Sequence, residues 1–352
     1  MRIVVFGATG DQGSAQVRAL VRAGHDPVAV SRSAKPWTID GKAVETFSGD
    51  YSDLAGLVKV MEGSQAVFLN LPSTSFQVAA PLIAAAQAIA NAAAASPTTR
   101  ALIFNTSLPV PSEKRGFAAQ DARHEMRRLV FASGIAAVSI EPVVFLDNLL
   151  KGWAWPAIEQ HNRIVYPHKE TLDVSWICHD DLAALMIAAL QRPQLAGRSF
   201  AVGGLETVRL PVLAQKLGHA WNRPLTYESQ SVDDFCERMR QVFDGKSSLE
   251  ADRLIGELHR VYSWYNESPE HPFQVNMAPV LKELPVRLTP IEEWARRQTL
   301  PDGGAPAPGS SNANLSSTRR PPCPFPAAPP RPPLAPSKAA LRRWKTALRS
   351  TT

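Results

Sequence analysis

The feature that most constrains this chain is a glycine-spaced turn that follows its first apolar segment. Ile3–Phe6 predicts a short buried strand, and GATGDQG comes next, just before an amphipathic helical pattern. Glycines permit a tight turn and a close phosphate approach, while the first amides of a helix attract anions. We therefore predict that this loop binds a dinucleotide pyrophosphate. The predicted binding residues of the loop are Gly7, Ala8, Thr9, Gly10, Asp11, Gln12 and Gly13.

Apolar runs recur along the chain at the spacing of βαβ units. They predict strands at 3–6, 28–31, 44–48, 66–72, 101–107 and 136–145, and helices near 12–23, 53–61, 78–95 and 118–133. Parallel strands need crossover helices, so this order predicts an α/β fold with a doubly wound parallel sheet of the Rossmann type. Residues 1–150 are the expected dinucleotide-binding domain, and about 171–203 complete its sheet. Residues 204–300 are expected to form a smaller C-terminal lobe for a substrate or a partner.

Residues 301–352 differ from the rest of the chain. They hold 12 of the 30 prolines and carry a net charge of +7, which leaves −1 for residues 1–300 out of the total of +6. This composition predicts a disordered, basic, Pro-rich tail. The remainder is near neutral, so no nucleic-acid partner is expected for the core.

Several features argue for a cytoplasmic protein without a membrane span. The Ala-rich run at 78–95 contains Pro81, Gln87 and Asn91, which favours a partly buried helix over a membrane span. The three cysteines have no metal-ligand spacing, and no metal site is predicted. A charged second residue leads straight into a strand pattern, so a signal peptide is not expected.

The residues after the second strand bear on the choice of nicotinamide cofactor. An acidic residue there would accept hydrogen bonds from a ribose hydroxyl and repel a 2′-phosphate. This chain has Ser31 at that point, followed by Arg32 and Lys35. A guanidinium pairs well with a phosphate, so NADP(H) is favoured over NAD(H).

Two further strand ends are expected at the cofactor. Asp50 and Tyr51 follow the third predicted strand, where a carboxylate would meet the adenine amino group. Asn70, Leu71 and Pro72 end the fourth predicted strand and would line the middle of the cofactor.

The segments VVFGATGDQG, GDYSD, NLP, SIEPVVFLDNLL, CHDDLAALMIAAL and YESQSVDDF together resemble the NmrA-like branch of atypical short-chain dehydrogenases. The resemblance covers roughly residues 1–300. It implies a dinucleotide-binding fold with a small C-terminal lobe, and a function as an NAD(P)H-dependent reductase or an NADP(H)-sensing regulator. It also implies that Phe145–Asn148 (FLDN) lies near the nicotinamide. Many members place a lysine on the nicotinamide ribose, and the matching position here is Arg123, a departure from the pattern.

The usual catalytic pair of short-chain dehydrogenases is missing. With Arg123 in the lysine position, Ala119 occupies the place of the proton-donating tyrosine, and no tyrosine lies between the fifth and sixth predicted strands. Catalytic residues are therefore left unassigned. Ser107 either touches a substrate or caps a turn, and a surface role is expected for His124.

Other candidate residues keep two interpretations. His179 with Asp180 and Asp181 has the composition of a metal site, but consecutive residues do not share a helix face, and Asp180 fits a helix cap better. Phe145, Trp153 and Trp155 either line an apolar pocket or pack in the core.

Two functions remain open at this level. One is an NAD(P)H-dependent oxidoreductase that reduces a quinone or a small carbonyl compound, since quinone reduction can draw its proton from water. The other is a non-catalytic NADP(H) redox sensor that acts through a protein partner, which the missing tyrosine and lysine favour.

Overall fold

A computed structural model describes residues 1–32, 35–75, 78–152, 154–240 and 248–300. The expected disordered tail at 301–352 and the pocket candidate Trp153 lie outside the described residues. None of the described helices is long and apolar enough to cross a membrane.

Twelve strands and eleven α-helices are formed by the described residues. The strands are β1 (Arg2–Phe6), β2 (Asp26–Ser31), β3 (Trp37–Ile39), β4 (Lys42–Ser48), β5 (Ala66–Asn70), β6 (Ala101–Asn105), β7 (Ala137–Pro142), β8 (Arg163–Tyr166), β9 (Asp173–Val174), β10 (Ser199–Val202), β11 (Val208–Arg209) and β12 (Thr226–Ser229). The helices are α1 (Asp11–Arg22), α2 (Leu54–Met61), α3 (Ala79–Ala95), α4 (Ala118–Ala132), α5 (Trp155–His161), α6 (His179–Leu190), α7 (Leu210–Trp221), α8 (Val232–Arg240), α9 (Ser248–Glu267), α10 (Met277–Glu283) and α11 (Ile291–Arg296).

The central sheet has the strand order β10-β7-β6-β5-β1-β2-β4-β3. Every neighbouring pair is parallel except β3 with β4. The order reverses between β1 and β5, and this reversal opens a crevice at the carboxyl ends of these strands. The predicted doubly wound parallel sheet is therefore confirmed.

The sheet is covered on both faces, and its strands are accordingly apolar throughout. Ile3 and Val5 of β1 join a core cluster with α1 and α6 on one face, whereas Val4 and Phe6 join a cluster with α2, α3 and α4 on the other. The Ala-rich segment is the partly buried helix α3, which packs through Ile89 and its neighbours.

The C-terminal part contributes two further clusters. One contains the buried tryptophans Trp155, Trp176, Trp221 and Trp294, and includes residues of α5, α7 and α11. The other joins α8 to α9 through Phe235, Cys236, Met239, Ala251, Leu254 and Leu258. The expected domain boundaries at 150 and 204 stay predictions.

The observed strands differ from the prediction in two ways: several strands end a few residues early, and one strand was not predicted. The predicted strand at 136–145 ends at Pro142, and a 3₁₀ turn, Leu146–Leu150, follows. A proline has no amide to continue the ladder. The sequence analysis also missed β3, which forms a tight hairpin with β4 around Asp40 and Gly41, both at positive φ. Asp-Gly is a strong hairpin signal, but the three-residue strand before it is too short to show a period.

Two glycines inside helices make a matched test of the packing. A Cβ added at Gly218 in α7 would lie 2.6 Å from the Arg223 carbonyl oxygen, whereas one at Gly256 in α9 meets nothing within 4 Å. We expect Gly256→Ala to stabilise the protein by about 0.5–1 kcal/mol through helix propensity. Gly218→Ala should destabilise it by about 1–3 kcal/mol through the clash. Thermal unfolding of both variants checks this, and equal shifts would contradict the packing around α7.

Candidate functional site: a crevice at the carboxyl end of the sheet

The glycine loop connects β1 to α1 in a conformation that needs two of its glycines. Gly7 has φ +67°, and an added Cβ there would lie 2.8 Å from the Asn70 carbonyl oxygen. An added Cβ at Gly13 would lie only 2.2 Å from the Gly7 carbonyl oxygen. Any side chain at position 13 would therefore push α1 away from the end of β1.

The start of α1 leaves amides available to a ligand. Gly10 precedes the helix without a side-chain cap, and its carbonyl accepts the Ser14 amide at 2.8 Å. The amides of Asp11, Gln12 and Gly13 therefore have no intrahelical partner. Thr9 and Asp11 are exposed and Ala8 is fully buried, so the loop presents its backbone on the outer side.

A network of carboxamides holds the loop against the strand ends. Gln12 accepts a bond from Asn105 at 2.6 Å and donates to the Ser107 hydroxyl at 2.5 Å. Asn105 also donates to Asn70 at 2.8 Å, and Asn70 exchanges two bonds with Gln16. The sequence analysis assigned no role to Gln16 or Asn105. Polar residues inside otherwise apolar strand and helix patterns were the available signal.

The residues predicted to bind the adenine end converge beside the loop. Asp50 accepts two bonds from Ser52, and these bonds with the nearby Arg32 charge lower the pKa of that carboxyl. Burial raises the pKa of Tyr51, while the Arg32 charge and a hydrogen bond with the Gly7 backbone oppose that shift. Arg32 and Lys35 are exposed, and no ion pair among the described residues involves either. Both cations are therefore open to an anionic group.

Arg123, in the lysine position of the family pattern, is a buried cation. Its side chain is fully buried on α4, and it donates to the carbonyl oxygens of Leu71 at 3.1 Å and Pro72 at 2.6 Å. Burial lowers its pKa to about 10. Arg123 fixes the segment after β5, and its contact with a nicotinamide ribose stays a prediction.

The FLDN segment leads to a cation that the sequence analysis missed. Lys151 forms an ion pair with Asp11 of the glycine loop at 2.7 Å. Asp147 accepts the backbone amide of His179 at 3.0 Å, which anchors the segment to the start of α6. Lys151 directly follows the SIEPVVFLDNLL segment, but no pattern in the sequence pairs it with Asp11, and only the fold brings it to the loop.

A cavity of about 190 Å³ adjoins this segment. Ser107, Phe145 and Asn148 line it, together with aromatic side chains such as Tyr262 and Phe273 and with aliphatic and serine side chains. Asn148 also hydrogen-bonds the side chain of Tyr166. A second cavity of about 240 Å³, which has Ser75, Leu258 and Val261 in common with the first, lies over α4 and α9. Phe145 lines the pocket and also belongs to the core cluster of β1, α1 and α6. Trp155 packs in the core, with its ring centroid 5.9 Å from that of Trp221.

The remaining candidates have structural roles. His124 meets the Ser112 carbonyl oxygen at 3.0 Å. Asp181 accepts two bonds from Thr289, and Cys178, not Asp180, precedes the first residue of α6. Within the described ranges, no three His, Cys, Asp or Glu side chains are grouped to hold a metal.

His168 lines the 190 Å³ cavity, and its pKa is far below the ordinary value. Tyr166, Tyr262, Tyr265 and Phe273 surround its ring, and this burial lowers its pKa to about 3 from an ordinary value of 6.5. Burial raises the pKa values of Tyr166, Tyr262 and Tyr265, so their hydroxyls stay protonated and uncharged. None of them can therefore balance the positive charge of a protonated imidazole. The ring is neutral in the folded protein at ordinary pH.

This burial makes stability depend on pH. Below about pH 6.5 the unfolded chain binds a proton at His168 that the native state does not bind, so stability falls as the pH drops toward about 3. At pH 5 this one group lowers the free energy of unfolding by about 2 kcal/mol. We expect His168→Phe to lose less unfolding free energy than the parent between pH 7.5 and pH 5. The control is His161→Phe, because His161 is exposed. An equal loss of unfolding free energy between pH 7.5 and pH 5 in the parent and both variants would refute the claim that His168 is buried in its neutral form.

Comparisons with known proteins place this geometry in a family. The sequence matches the NmrA-like family over residues 1–295. It is 30% identical over 238 residues, 66% of this chain and 78% of the relative, to a (4-alkanoyl-5-oxo-2,5-dihydrofuran-3-yl)methyl phosphate reductase of Streptomyces griseus.

Two further curated relatives are also reductases. An NAD(P)H azoreductase of Xenophilus azovorans is 28% identical over 74% of this chain and 86% of its own length. Quinone oxidoreductase 2 of Escherichia coli is 23% identical over 72% of this chain and 87% of its own length.

Solved structures agree on the fold. NmrA, a negative transcriptional regulator solved with NAD, superposes with a TM-score of 0.63 at 18% identity over 84% of this chain and 94% of its own. The same regulator has also been solved with NADP. On the strength of the match over residues 1–295 and of the shared fold, the chain belongs to the NmrA-like family.

Proposed function

We propose that this protein is an NAD(P)H-dependent oxidoreductase that reduces a quinone or a small carbonyl compound. The observation that carries the proposal is the continuity between the glycine loop and the aromatic cavity. Gln12 of the loop donates to Ser107, and Ser107 lines the cavity together with Phe145 and Asn148. A cofactor seated on the loop would thus end beside a pocket for its reaction partner. The three curated relatives named above are all reductases, which supports the same conclusion.

The residues present fit a dinucleotide diphosphate. A Cβ at position 7 or 13 would fill the turn, and the free amides at the start of α1 would donate to the phosphate oxygens. Asp11 and Lys151 neutralise each other at this point, so the helix dipole and the amides would act without opposing charge. Asn70, Leu71 and Pro72 would flank the middle of the cofactor, with Arg123 holding two of their carbonyls.

NADP(H) is the proposed cofactor of choice. Arg32 acts electrostatically on both Asp50 and Tyr51, the two residues that would meet the adenine, which supports this choice. Arg32 would pair with a 2′-phosphate, and Lys35 would add a second positive charge.

The bound nicotinamide would supply a hydride, and the protein would supply position and a dry surface. With Ala119 in the tyrosine position, the chain has no phenol there to donate a proton. Acceptors whose reduction takes its proton from water are therefore favoured, and quinones belong to this class. Phe145 and Asn148 would orient the acceptor against the nicotinamide.

A non-catalytic NADP(H) sensor is the second candidate. The absent tyrosine and the burial of Arg123 favour it, and the structural relative NmrA is a negative transcriptional regulator. In this case the ligand would change the affinity for a protein partner and would not be turned over.

Turnover separates the two candidates. Purified full chain is mixed with NADPH and a panel of quinones and small carbonyl compounds, and absorbance at the reduced nicotinamide band is followed. We expect acceptor-dependent loss of the band with at least one quinone. Tight cofactor binding without turnover on any acceptor would leave the sensor as the function.

Cofactor preference is tested at Arg32. We expect Arg32→Asp to weaken NADPH binding at least tenfold and to change NADH binding less than threefold, because only NADPH carries the 2′-phosphate. Lys59→Asp is the matched control, since Lys59 is exposed on α2. Calorimetric titration gives both constants. An unchanged NADPH-to-NADH ratio in Arg32→Asp would remove the 2′-phosphate assignment.

A further inference from the structure

The wall of the 190 Å³ cavity is free of formal charge wherever it is described. Its described lining residues include no Asp, Glu, Lys or Arg. A charged ligand would lose its hydration there without gaining an ion-pair partner, which is strongly unfavourable. The Streptomyces relative is named for a phosphate ester, and the described wall offers no cation to such a group.

The shape of the wall suits a flat ring. Tyr262 stacks on His168 with the ring planes 25° apart, and Tyr265 lies against Phe273 with ring centroids 4.5 Å apart. Faces and edges of these rings are favourable surfaces for another aromatic ring. Drug-sized ligands occupy pockets of about 300–1,000 Å³, so this smaller cavity fits a molecule of one or two rings.

Among the described lining residues, His168 carries the one buried side-chain nitrogen or oxygen without a hydrogen-bond partner. Its side chain is 1% exposed, and Nδ1 has no hydrogen-bond partner among the described residues. Its backbone is fixed, because the hydroxyls of Tyr227 and Ser229 both donate to its carbonyl oxygen. A buried polar atom left without a hydrogen bond is unfavourable, and a ligand that supplies the missing bond gains affinity and specificity.

We propose that the cavity binds an uncharged, planar aromatic acceptor of one or two rings, and that the imidazole of His168 hydrogen-bonds an oxygen of that ring. The inference rests on the proposed oxidoreductase function and adds the substrate class and the residue that selects it. Ser107 and Asn148 also line the cavity, and Ser107 accepts a hydrogen bond from Gln12 of the glycine loop, beside which the nicotinamide would lie.

The reaction balances without an ionised protein group. For a quinone, the C–H bond of the reduced nicotinamide breaks and its hydride carries two electrons to the acceptor. One proton from water completes the hydroquinone, and oxidised cofactor is left. The neutral imidazole of His168 stays neutral and donates a hydrogen bond to the oxygen on which negative charge develops.

Three substitutions of His168 distinguish the contribution of its hydrogen bond to quinone binding from that of its aromatic ring. His168→Phe keeps an aromatic ring and removes both nitrogens, whereas His168→Asn and His168→Gln each replace one ring nitrogen by an amide. The probes are 1,4-naphthoquinone and its 2-sulfonate, which differ by one negative charge. The readouts are calorimetric binding of each quinone to the NADP⁺-loaded full chain, and kcat/KM with NADPH. His161→Phe is the control for a remote histidine, and NADPH affinity of every variant reports an intact crevice.

We expect the neutral quinone to bind at least tenfold more tightly than the sulfonate. His168→Phe should weaken that binding at least tenfold, and one of the two carboxamide variants should restore it to within threefold. Equal binding of the two quinones, or the same binding in all three variants, would overturn the inference. His168-dependent binding without turnover would instead refute the oxidoreductase function and retain the pocket.

Discussion

The close approach of α1 to the end of β1 is the constraint on which the rest of the site depends. Only a hydrogen at position 13 allows the helix to start beside the Gly7 carbonyl, because a Cβ would come within 2.2 Å of that oxygen. This approach aims the first amides of α1 along the carboxyl edge of the sheet. It also brings Gln12 within reach of Asn105 and Ser107, which leads from the loop to the cavity.

The interior of the site is held mainly by neutral groups. Carboxamides of Gln12, Gln16, Asn70 and Asn105 fix the strand ends, and they do so without a charge that would compete with an anionic ligand. Two cationic side chains, Arg32 and Lys151, lie at the edges of the crevice. Arg32 is exposed just after β2, and Lys151 forms an ion pair with Asp11 at the start of α1. Arg123 is buried and, among the described residues, has no carboxylate partner; it donates to the carbonyl oxygens of Leu71 and Pro72 and contacts the sulfur of Met126.

Local pattern was sufficient to predict the parallel strands of the sheet, though not the short edge strand β3, and the turn after β1. Apolar runs bounded by turns identified the parallel strands, and the glycine spacing identified the turn after β1. The features that local pattern missed depend on contacts between distant residues. Lys151 is 140 residues from Asp11, and His168 meets its ring neighbours Tyr262 and Tyr265 from almost 100 residues away. Arg123, matched by counting along the family pattern, carries a fully buried side chain, and no sequence pattern indicated that burial. The cofactor contacts themselves stay predictions.

The central claim is that the amides at the start of α1 hold a diphosphate. Calorimetric titration of the full chain with NADPH, and separately with ADP and adenosine, tests it most directly. The account predicts saturable one-to-one binding of NADPH, and competition by ADP that adenosine does not reproduce. Absence of binding by NADPH and NADH alike, or competition by adenosine equal to that of ADP, would contradict it.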